Sequence, residues 1–294
     1  MATHQPGITE EVPALARYMS FRLTPEGDPR AALKRLAAEP ISPDLVVGLG
    51  HATVAAVGGQ VKGLREAKVF AGAGISVPAT PTALWLWLRG RDRGELLHEG
   101  RRLQDILQEG FTLEHVVDAF KYQDGRDLSG YVDGTENPEG DEALAAAFTA
   151  GRGPGLDGGS FVAVQTWVHE LSRFEAHTRA ERDDIFGRRQ ADNEEFEEAP
   201  RSAHVKRTAQ ESFQPEAFVL RRSMPWADAR REGLVFVAFG HTFDAFEAIL
   251  TRMVGLEDGI TDALFTFTHP EDTRYLWCPP LVQGRLDLSR LGLQ

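Results

Sequence analysis

Residues Arg17 to Ala38 read RYMSFRLTPEGDPRAALKRLAA, and this stretch decides the fold. Arg17 to Leu23 alternates well enough to predict a strand. Asp28-Pro29 then supplies an N-cap and a first-turn proline for a helix through Leu33, Leu36 and Ala37. Working outward, Leu45 to Val57 is β-branched and apolar, and Ala83 to Leu88 predicts a continuous apolar strand. Glu95 to Gln108 places Leu96, Leu97, Leu103, Ile106 and Leu107 at helical spacing, and Phe111, Leu113, His115, Val117 and Ala119 alternate as a further strand. The first half therefore reads βαββαβ.

Beyond an irregular stretch from Tyr122 to Gly140 and a short helix around Ala143 to Phe148, the order recurs. Strand Phe161 to Val168 leads to helix Ser172 to Phe186 and strand Ala217 to Leu220. Strand Leu234 to Phe239, helix Phe243 to Val254 and a final strand between Leu264 and Trp277 follow. No residue-level repeat accompanies this repeat of element order. The split-βαβ, ferredoxin-like unit matches it. The expectation is an α+β protein of two ferredoxin-like domains, residues 1–125 and 126–294, with the boundary near Gln123 to Gly130. Arg188 to Gln214 is a long insertion without a clear period, rich in charged residues and carrying His204. A stretch of that kind inside a compact domain is often functional.

Composition removes several function classes. With 294 residues, 42% hydrophobic and 26% charged, the chain has the makings of a full core. Its net charge of −12 repels a phosphate backbone, and no run of Lys or Arg offers a local basic footprint, so nucleic acid is not an expected partner. One cysteine, Cys278, cannot close an internal disulfide, and Met1 to Glu10 lacks the basic and apolar regions of a secretory leader. Apolar runs such as Leu234 to Phe239 are too short to span a bilayer. Together these point to the cytoplasm, with no membrane partner.

The sharpest local signal is Gly130-Tyr131-Val132-Asp133-Gly134-Thr135-Glu136-Asn137-Pro138. Glycines bracket the Asp, so the backbone can turn tightly and approach a planar ligand while the carboxylate is held over it. A surface Asp-Gly turn has the same local sequence. His204, in Ser202-Ala203-His204-Val205-Lys206-Arg207, has the chemistry of an axial haem ligand, and Arg207 that of a propionate partner. Nine histidines are present, and spacing alone does not choose among them. In Val219-Leu220-Arg221-Arg222-Ser223, an apolar strand ends in two arginines, aimed either at solvent or into a pocket.

Taken together, these three pieces resemble the dye-decolourising peroxidase family, more closely its B-type bacterial branch. The Gly-x-x-Asp-Gly signature stands at Gly130 to Gly134, followed by the Thr-Glu-Asn-Pro usual in that branch. The resemblance implies a pair of ferredoxin-like domains with haem b held mainly by the second. It also implies His204 as the axial ligand of the haem iron, Asp133 and Arg221 as catalytic groups, and Gly134, Thr135, Glu136, Arg207 and Ser223 around the cofactor. An acidic residue hydrogen-bonded to the proximal imidazole matches Asp262. Two departures stand out. Tyr131 replaces the usual Phe, and Ser223 replaces the usual Asn.

The implied reaction reduces hydrogen peroxide and oxidises organic substrates such as dyes and phenols. Asp133 shuttles a proton between the peroxide oxygens, and Arg221 stabilises the developing negative charge. Bulky reductants cannot easily reach a buried cofactor, so aromatic residues become candidate electron relays: Tyr122, Tyr131, Trp167, Trp226 and Trp277. A haem carrier with little peroxide turnover is the alternative, although a carrier needs neither Asp133 nor Arg221. A haem-free ferredoxin-like binding module is a further one. The family implies a homo-oligomer. Leu286, Leu288, Leu291 and Leu293 are expected to dock on the chain's own body, and no long flexible spacer precedes them, so loading into a nanocompartment is not favoured.

Overall fold

The strand expected at residues 17–23 forms as β1 (Leu15–Leu23), and the helix behind it as α1 (Pro29–Ala38). In this computed structural model, which describes residues 3–72 and 74–293, the Asp28 carboxylate accepts the Ala31 N–H at 3.0 Å and Pro29 stands in the first turn. The cap signalled by the sequence is the cap that forms. The first half continues with β2 (Leu45–Gly50), α2 (His51–Ala56), β3 (Leu84–Gly90), α3 (Arg93–Leu107) and β4 (Phe111–Phe120). The second half adds α4 (Gly140–Ala147), β5 (Ser160–His169), α5 (Leu171–Glu175), α6 (Arg179–Phe186), α7 (His204–Thr208), β6 (Leu220–Arg221) and β7 (Met224–Ala227). It ends with β8 (Glu232–Gly240), α8 (Asp244–Met253), β9 (Thr268–Pro270) and β10 (Arg274–Cys278). The protein is α+β.

All pairings are antiparallel. The strands of the first half lie in the order β2-β3-β1-β4, and those of the second in the order β10-β5-β8-β7. The two sets meet at both edges. Trp277 pairs with Leu49 where β10 meets β2, and Ala119 pairs with Trp226 where β4 meets β7. Eight strands thus close into a ring, and edges that would otherwise expose unpaired N–H and C=O groups are satisfied by each other. The short strands β6 and β9 pair beside β7 and β10 on the long strands β8 and β5.

Alternation along the strands separates two cores. Trp85 and Trp87 of β3 face the inside of the ring, with Tyr18, Val46, Val162, Val164, Phe239 and Leu276. Leu84, Leu86 and Leu88 face the opposite way, onto a second core that includes Leu33 and Leu36 of α1 and Leu103 and Leu107 of α3. A strand buried on both faces reads as an unbroken apolar run, which is why Ala83 to Leu88 shows no polar alternation. Truncating a side chain such as Leu86, fully buried, to Ala is expected to cost about 2–5 kcal/mol.

Several elements depart from the sequence reading. The apolar stretch from Leu45 to Val57 is a strand only to Gly50. There the backbone packs against Thr82, with no room for a Cβ, and turns into α2, where Thr53 Oγ1 donates to the Ala83 carbonyl at 2.5 Å. The single helix expected over Ser172 to Phe186 is two, because Thr178 starts a new one: its hydroxyl accepts the Glu181 N–H while the Glu181 carboxylate accepts the Thr178 N–H. The strand expected at Ala217 to Leu220 shrinks to Leu220–Arg221. The final strand is two, β9 and β10. The insertion over 188–214 is not structureless, since it carries α7 and a turn of 3-10 helix at Gln210–Ser212.

Candidate active site

The segment from Asp127 to Glu136, α7, the end of β6 and one face of α8 enclose a cavity with a largely apolar wall. Asp133, Gly134, Thr135, Glu136, His204 and Arg221 all line it. Residues from three distant parts of the sequence therefore meet as expected.

The glycine-bracketed segment needs both glycines. Gly130 and Gly134 hold φ of 87° and 77°, in the left-handed region, and a Cβ on Gly130 would stand 2.2 Å from Gln190 Nε2. Asn137 then ties this segment to the strand carrying the arginine. Its Oδ1 accepts the Arg221 N–H at 2.7 Å and its Nδ2 donates to the Arg221 carbonyl at 3.1 Å. Gln210 braces the same junction, donating to the Glu136 carbonyl at 2.7 Å and accepting from Val219 N–H at 2.9 Å. Asp133 and Arg221 are thereby held relative to each other through backbone.

Burial pushes the Asp133 carboxyl above its usual range, opposed chiefly by the positive charge of Arg221. Burial likewise pulls Arg221 below its usual value, with the negative charges of Asp133 and Glu136 opposing. Among the described residues no hydrogen bond or ion pair joins the two side chains, so each presents its polar end to the cavity.

His204 opens α7. Its Nδ1 lies 2.8 Å from Oδ2 of Asp262, which is fully buried and whose Oδ1 accepts the Leu264 N–H at 2.8 Å. A carboxylate oxygen accepts, so in the neutral ring the proton sits on Nδ1 and the lone pair on Nε2. Nε2 has no protein partner among the described residues. Asp262 does not line the cavity; it acts on it through the imidazole.

A second histidine on the wall behaves differently. His169, from β5, has Nε2 2.9 Å from Asp127 Oδ1 and Nδ1 2.6 Å from Thr268 Oγ1. Both ring nitrogens are engaged, so it has no lone pair to offer a metal. Asp127 also accepts from the Ser129 N–H and hydroxyl. Nothing in the local sequence announces this pair, whose members are 42 positions apart.

Two expected site residues stand elsewhere. The guanidinium of Arg207 is spent on the Asp258 carboxylate, at 2.8 and 3.0 Å, and on the Arg252 carbonyl, at 2.7 Å. The arginine that lines the cavity besides Arg221 is Arg188, shared between Glu136 and Glu195. Ser223 is buried with its hydroxyl 3.3 Å from the Val237 N–H, which it accepts, and it does not line the cavity. Thr135 accepts from Asn193 Nδ2 at 3.0 Å at the rim. Of the aromatic residues singled out, Tyr131 and Trp167 line the cavity, whereas Tyr122, Trp226 and Trp277 do not.

Fold and cavity together define an α+β protein whose largely apolar cavity is lined by an imidazole with one nitrogen unpartnered among the described residues, by a carboxylate and by a guanidinium. The family described as Dyp-type peroxidase, C-terminal, matches residues 124–283, more than half of the chain, and the chain belongs to the Dyp-type peroxidase family. It is 28% identical over 199 residues to the dye-decolorizing peroxidase of Mycolicibacterium paratuberculosis, covering 66% of this chain and 56% of that protein. With the dye-decolorizing peroxidase of Mycobacterium tuberculosis it shares 28% identity over 239 residues, 74% of this chain and 71% of the other. The chain spans little more than half the length of the first of these relatives. Among solved structures, a dye-decolorizing protein from V. cholerae superposes with a TM-score of 0.85 at 25% identity, covering 99% of both chains. A DypB variant from Rhodococcus jostii in complex with heme shares the fold at a TM-score of 0.86 and 23% identity, over 94% of this chain and 96% of that one.

Proposed function

We propose that this chain is a haem peroxidase, which binds haem b, reduces hydrogen peroxide and oxidises organic donors such as dyes and phenols. The observation that carries this reading is the unpartnered Nε2 of His204, its other nitrogen bound to Asp262, in a cavity also lined by Asp133 and Arg221. The donor set suits an iron porphyrin: one neutral imidazole as axial ligand, a carboxylate behind it to raise its basicity, and an apolar wall for the macrocycle. His204 is the axial ligand in this reading, and Gly134, Thr135 and Glu136 border the cofactor. When bound, the haem supplies the electrons that cleave the oxygen–oxygen bond.

The residues of the chain do the rest. Asp133 takes the proton from one peroxide oxygen and returns it to the other. A positioned acid–base group of this kind contributes roughly 100- to 10,000-fold. Its raised proton affinity brings it nearer the working pH than an exposed carboxylate. Arg221 offers fixed positive charge to the oxygen that leaves as water. A haem carrier has no use for two charged groups facing a cavity, so the peroxidase reading is favoured over that alternative.

The same proposal takes each half as one ferredoxin-like unit, residues 1–125 and 126–294. In each, the first strand and the third are central, as in β2-β3-β1-β4 and β10-β5-β8-β7. The protein works in the cytoplasm as a homo-oligomer. Among the described residues no helix is long and apolar enough to cross a membrane. Leu286, Leu288, Leu291 and Leu293 are buried against the body of the chain, which disfavours their use as a nanocompartment tag.

The deciding experiment is an absorption spectrum of the purified protein reconstituted with haem, before and after one equivalent of peroxide. A Soret band that shifts with peroxide and returns on adding a phenolic donor is expected. A band that ignores peroxide leaves only the carrier reading, and no band removes both.

A further inference from the structure

Two carboxylates of the glycine-bracketed segment line the cavity, Asp133 and Asp127. The backbone folds back between them: the Asp127 N–H donates to the Tyr131 carbonyl at 2.9 Å, and the Asp133 N–H to the Gly125 carbonyl at 3.1 Å. The handling of peroxide uses Asp133. It leaves Asp127 and its partner His169, both buried on the same wall, without a task.

The hydrogens around His169 can be counted. The Thr268 hydroxyl has one, and donates it to the Val168 carbonyl at 3.0 Å. Toward His169 Nδ1, 2.6 Å away, Oγ1 can then only accept, so Nδ1 carries a proton. On the other side of the ring, the 2.9 Å contact between Nε2 and Asp127 Oδ1 needs a hydrogen of its own. Asp127 Oδ2 is occupied as an acceptor, by the Ser129 N–H at 2.8 Å and the Ser129 hydroxyl at 2.5 Å. Burial works to raise the proton affinity of Asp127, yet the positive charge of His169, with the hydrogen bonds from the ring and from Ser129, takes it below the ordinary carboxyl value. The shared hydrogen therefore belongs to the ring, and the pair is an imidazolium facing a carboxylate.

A mere tie between β5, β9 and this segment needs no charge. Asn and Gln would reach across the same gap, and burying two ions is costly. What the ions add is a field at Asp133. After burial, and against the opposing charge of Arg221, the negative charge of Asp127 raises the proton affinity of Asp133. The imidazolium stands behind that charge and offsets it. Other charges on the wall are engaged elsewhere or weaker in effect: Arg188 lies between Glu136 and Glu195, Glu211 is exposed, and His204 acts least on Asp133.

We infer that Asp127 and His169 are positioning residues for Asp133, a pair that keeps a proton of its own and thereby sets the charge against which the catalytic carboxyl exchanges protons with peroxide. The inference rests on the peroxidase reading for its effect on turnover, whereas the titration of Asp133 that it predicts needs no peroxide. Removing the imidazolium leaves Asp127 bare, and Asp133 then holds its proton more tightly. Asp133 must be ionised to take a proton from peroxide, so the acid limb of the reaction moves to higher pH. Replacing Asp127 by Asn removes the nearer negative charge and, with it, the reason for the ring to stay charged, so the limb moves to lower pH.

The test is an infrared titration of the haem-loaded protein, following the carbonyl stretch of the protonated Asp133 carboxyl, assigned by its loss in Asp133→Asn, beside a stopped-flow pH profile of the peroxide reaction. His169→Gln is expected to raise the infrared midpoint and the acid limb together, by about one pH unit. Thr268→Val, which leaves both ions in place but removes the acceptor of the Nδ1 proton, is expected to raise them by less, and it carries the same test should His169→Gln not fold. Asp127→Asn is expected to lower both, and the double variant Asp127→Asn, His169→Gln to match Asp127→Asn alone. Slower turnover at every pH with the midpoint unmoved makes the pair a structural tie and overturns the inference, as does movement in the same direction in His169→Gln and Asp127→Asn. The expected midpoints in a protein whose Soret band ignores peroxide overturn the peroxidase reading and leave the coupling of the three groups standing.

Discussion

His204 Nδ1 and Asp262 Oδ2 lie 2.8 Å apart, and the other oxygen of that carboxylate is held by the Leu264 N–H. The carboxylate is thus fixed before it fixes the ring. Asp262→Ala frees the imidazole to turn and to change tautomer, and loss of such a partner typically weakens metal binding or activity about 10–100-fold. A haem titration followed at the Soret band measures this, and unchanged affinity counts against the role given to Asp262.

Among the described residues two histidines line the cavity, and His204 alone of the two has a nitrogen without a protein partner. His204→Ala is expected to abolish the Soret band. His169→Gln is expected to keep it, because its Nε2 and Nδ1 are already committed to Asp127 and Thr268. Reconstituting both variants with haem separates the two, and loss of the band in His169→Gln alone would reverse the ligand assignment.

Asp133→Asn is expected to slow the reaction with peroxide by about 100- to 10,000-fold, and Arg221→Leu by about 100- to 1,000-fold, both read by stopped-flow absorbance. The pH dependence adds a sign. Arg221 lowers the proton affinity that burial has raised at Asp133, so Arg221→Leu moves the acid limb of the remaining activity to higher pH. A limb that moves down, or stays, contradicts the coupling between these two groups.

The same carboxyl has a stability signature in the haem-free protein. Its proton affinity is raised in the folded state above the ordinary 3.8. Its contribution to stability is therefore full below that value and lost as pH rises through the folded one. Asp133→Asn is expected to melt at a higher temperature than the wild type near neutral pH, with the difference closing as the pH falls toward 3.8. Thermal melts across that range decide it.

Ser223→Ala removes a buried hydroxyl that accepts the Val237 N–H. A loss of stability of about 1 kcal/mol is expected, with the peroxide reaction rate unchanged. A slowed reaction at unaltered stability would place the hydroxyl back at the cavity.

Asp133, Arg221 and His204 were legible because each sits in a short segment with its own signal: glycines around the carboxylate, a strand ending in arginines, an insertion too long to be idle. Asp262 was legible only through the family resemblance. Arg207 was misplaced because its neighbour in sequence is the iron ligand candidate, whereas its neighbour in space is Asp258, 51 positions away. The His169–Asp127 pair and the clamp of Asn137 on Arg221 escaped for the same reason, being products of folding rather than of spacing. In the fold, strands and helices followed from period and caps. The break at Thr178 was readable as Thr-x-x-Glu but was hidden by apolar residues on both sides. The joining of the two sheets at Ala119–Trp226 and Leu49–Trp277 leaves no periodic trace.

Closure of the ring bears on how the chain is made. The strands that flank the first sheet, β2 and β4, are covered by β10 and β7, both of which belong to the second half and are synthesised after that sheet. Until then a nascent sheet with tryptophans on one face presents two bare edges, each a template for pairing with another chain. Stalled or truncated products of this gene are for that reason prone to aggregate, and its expression should respond to cellular chaperones more than its ordinary composition suggests.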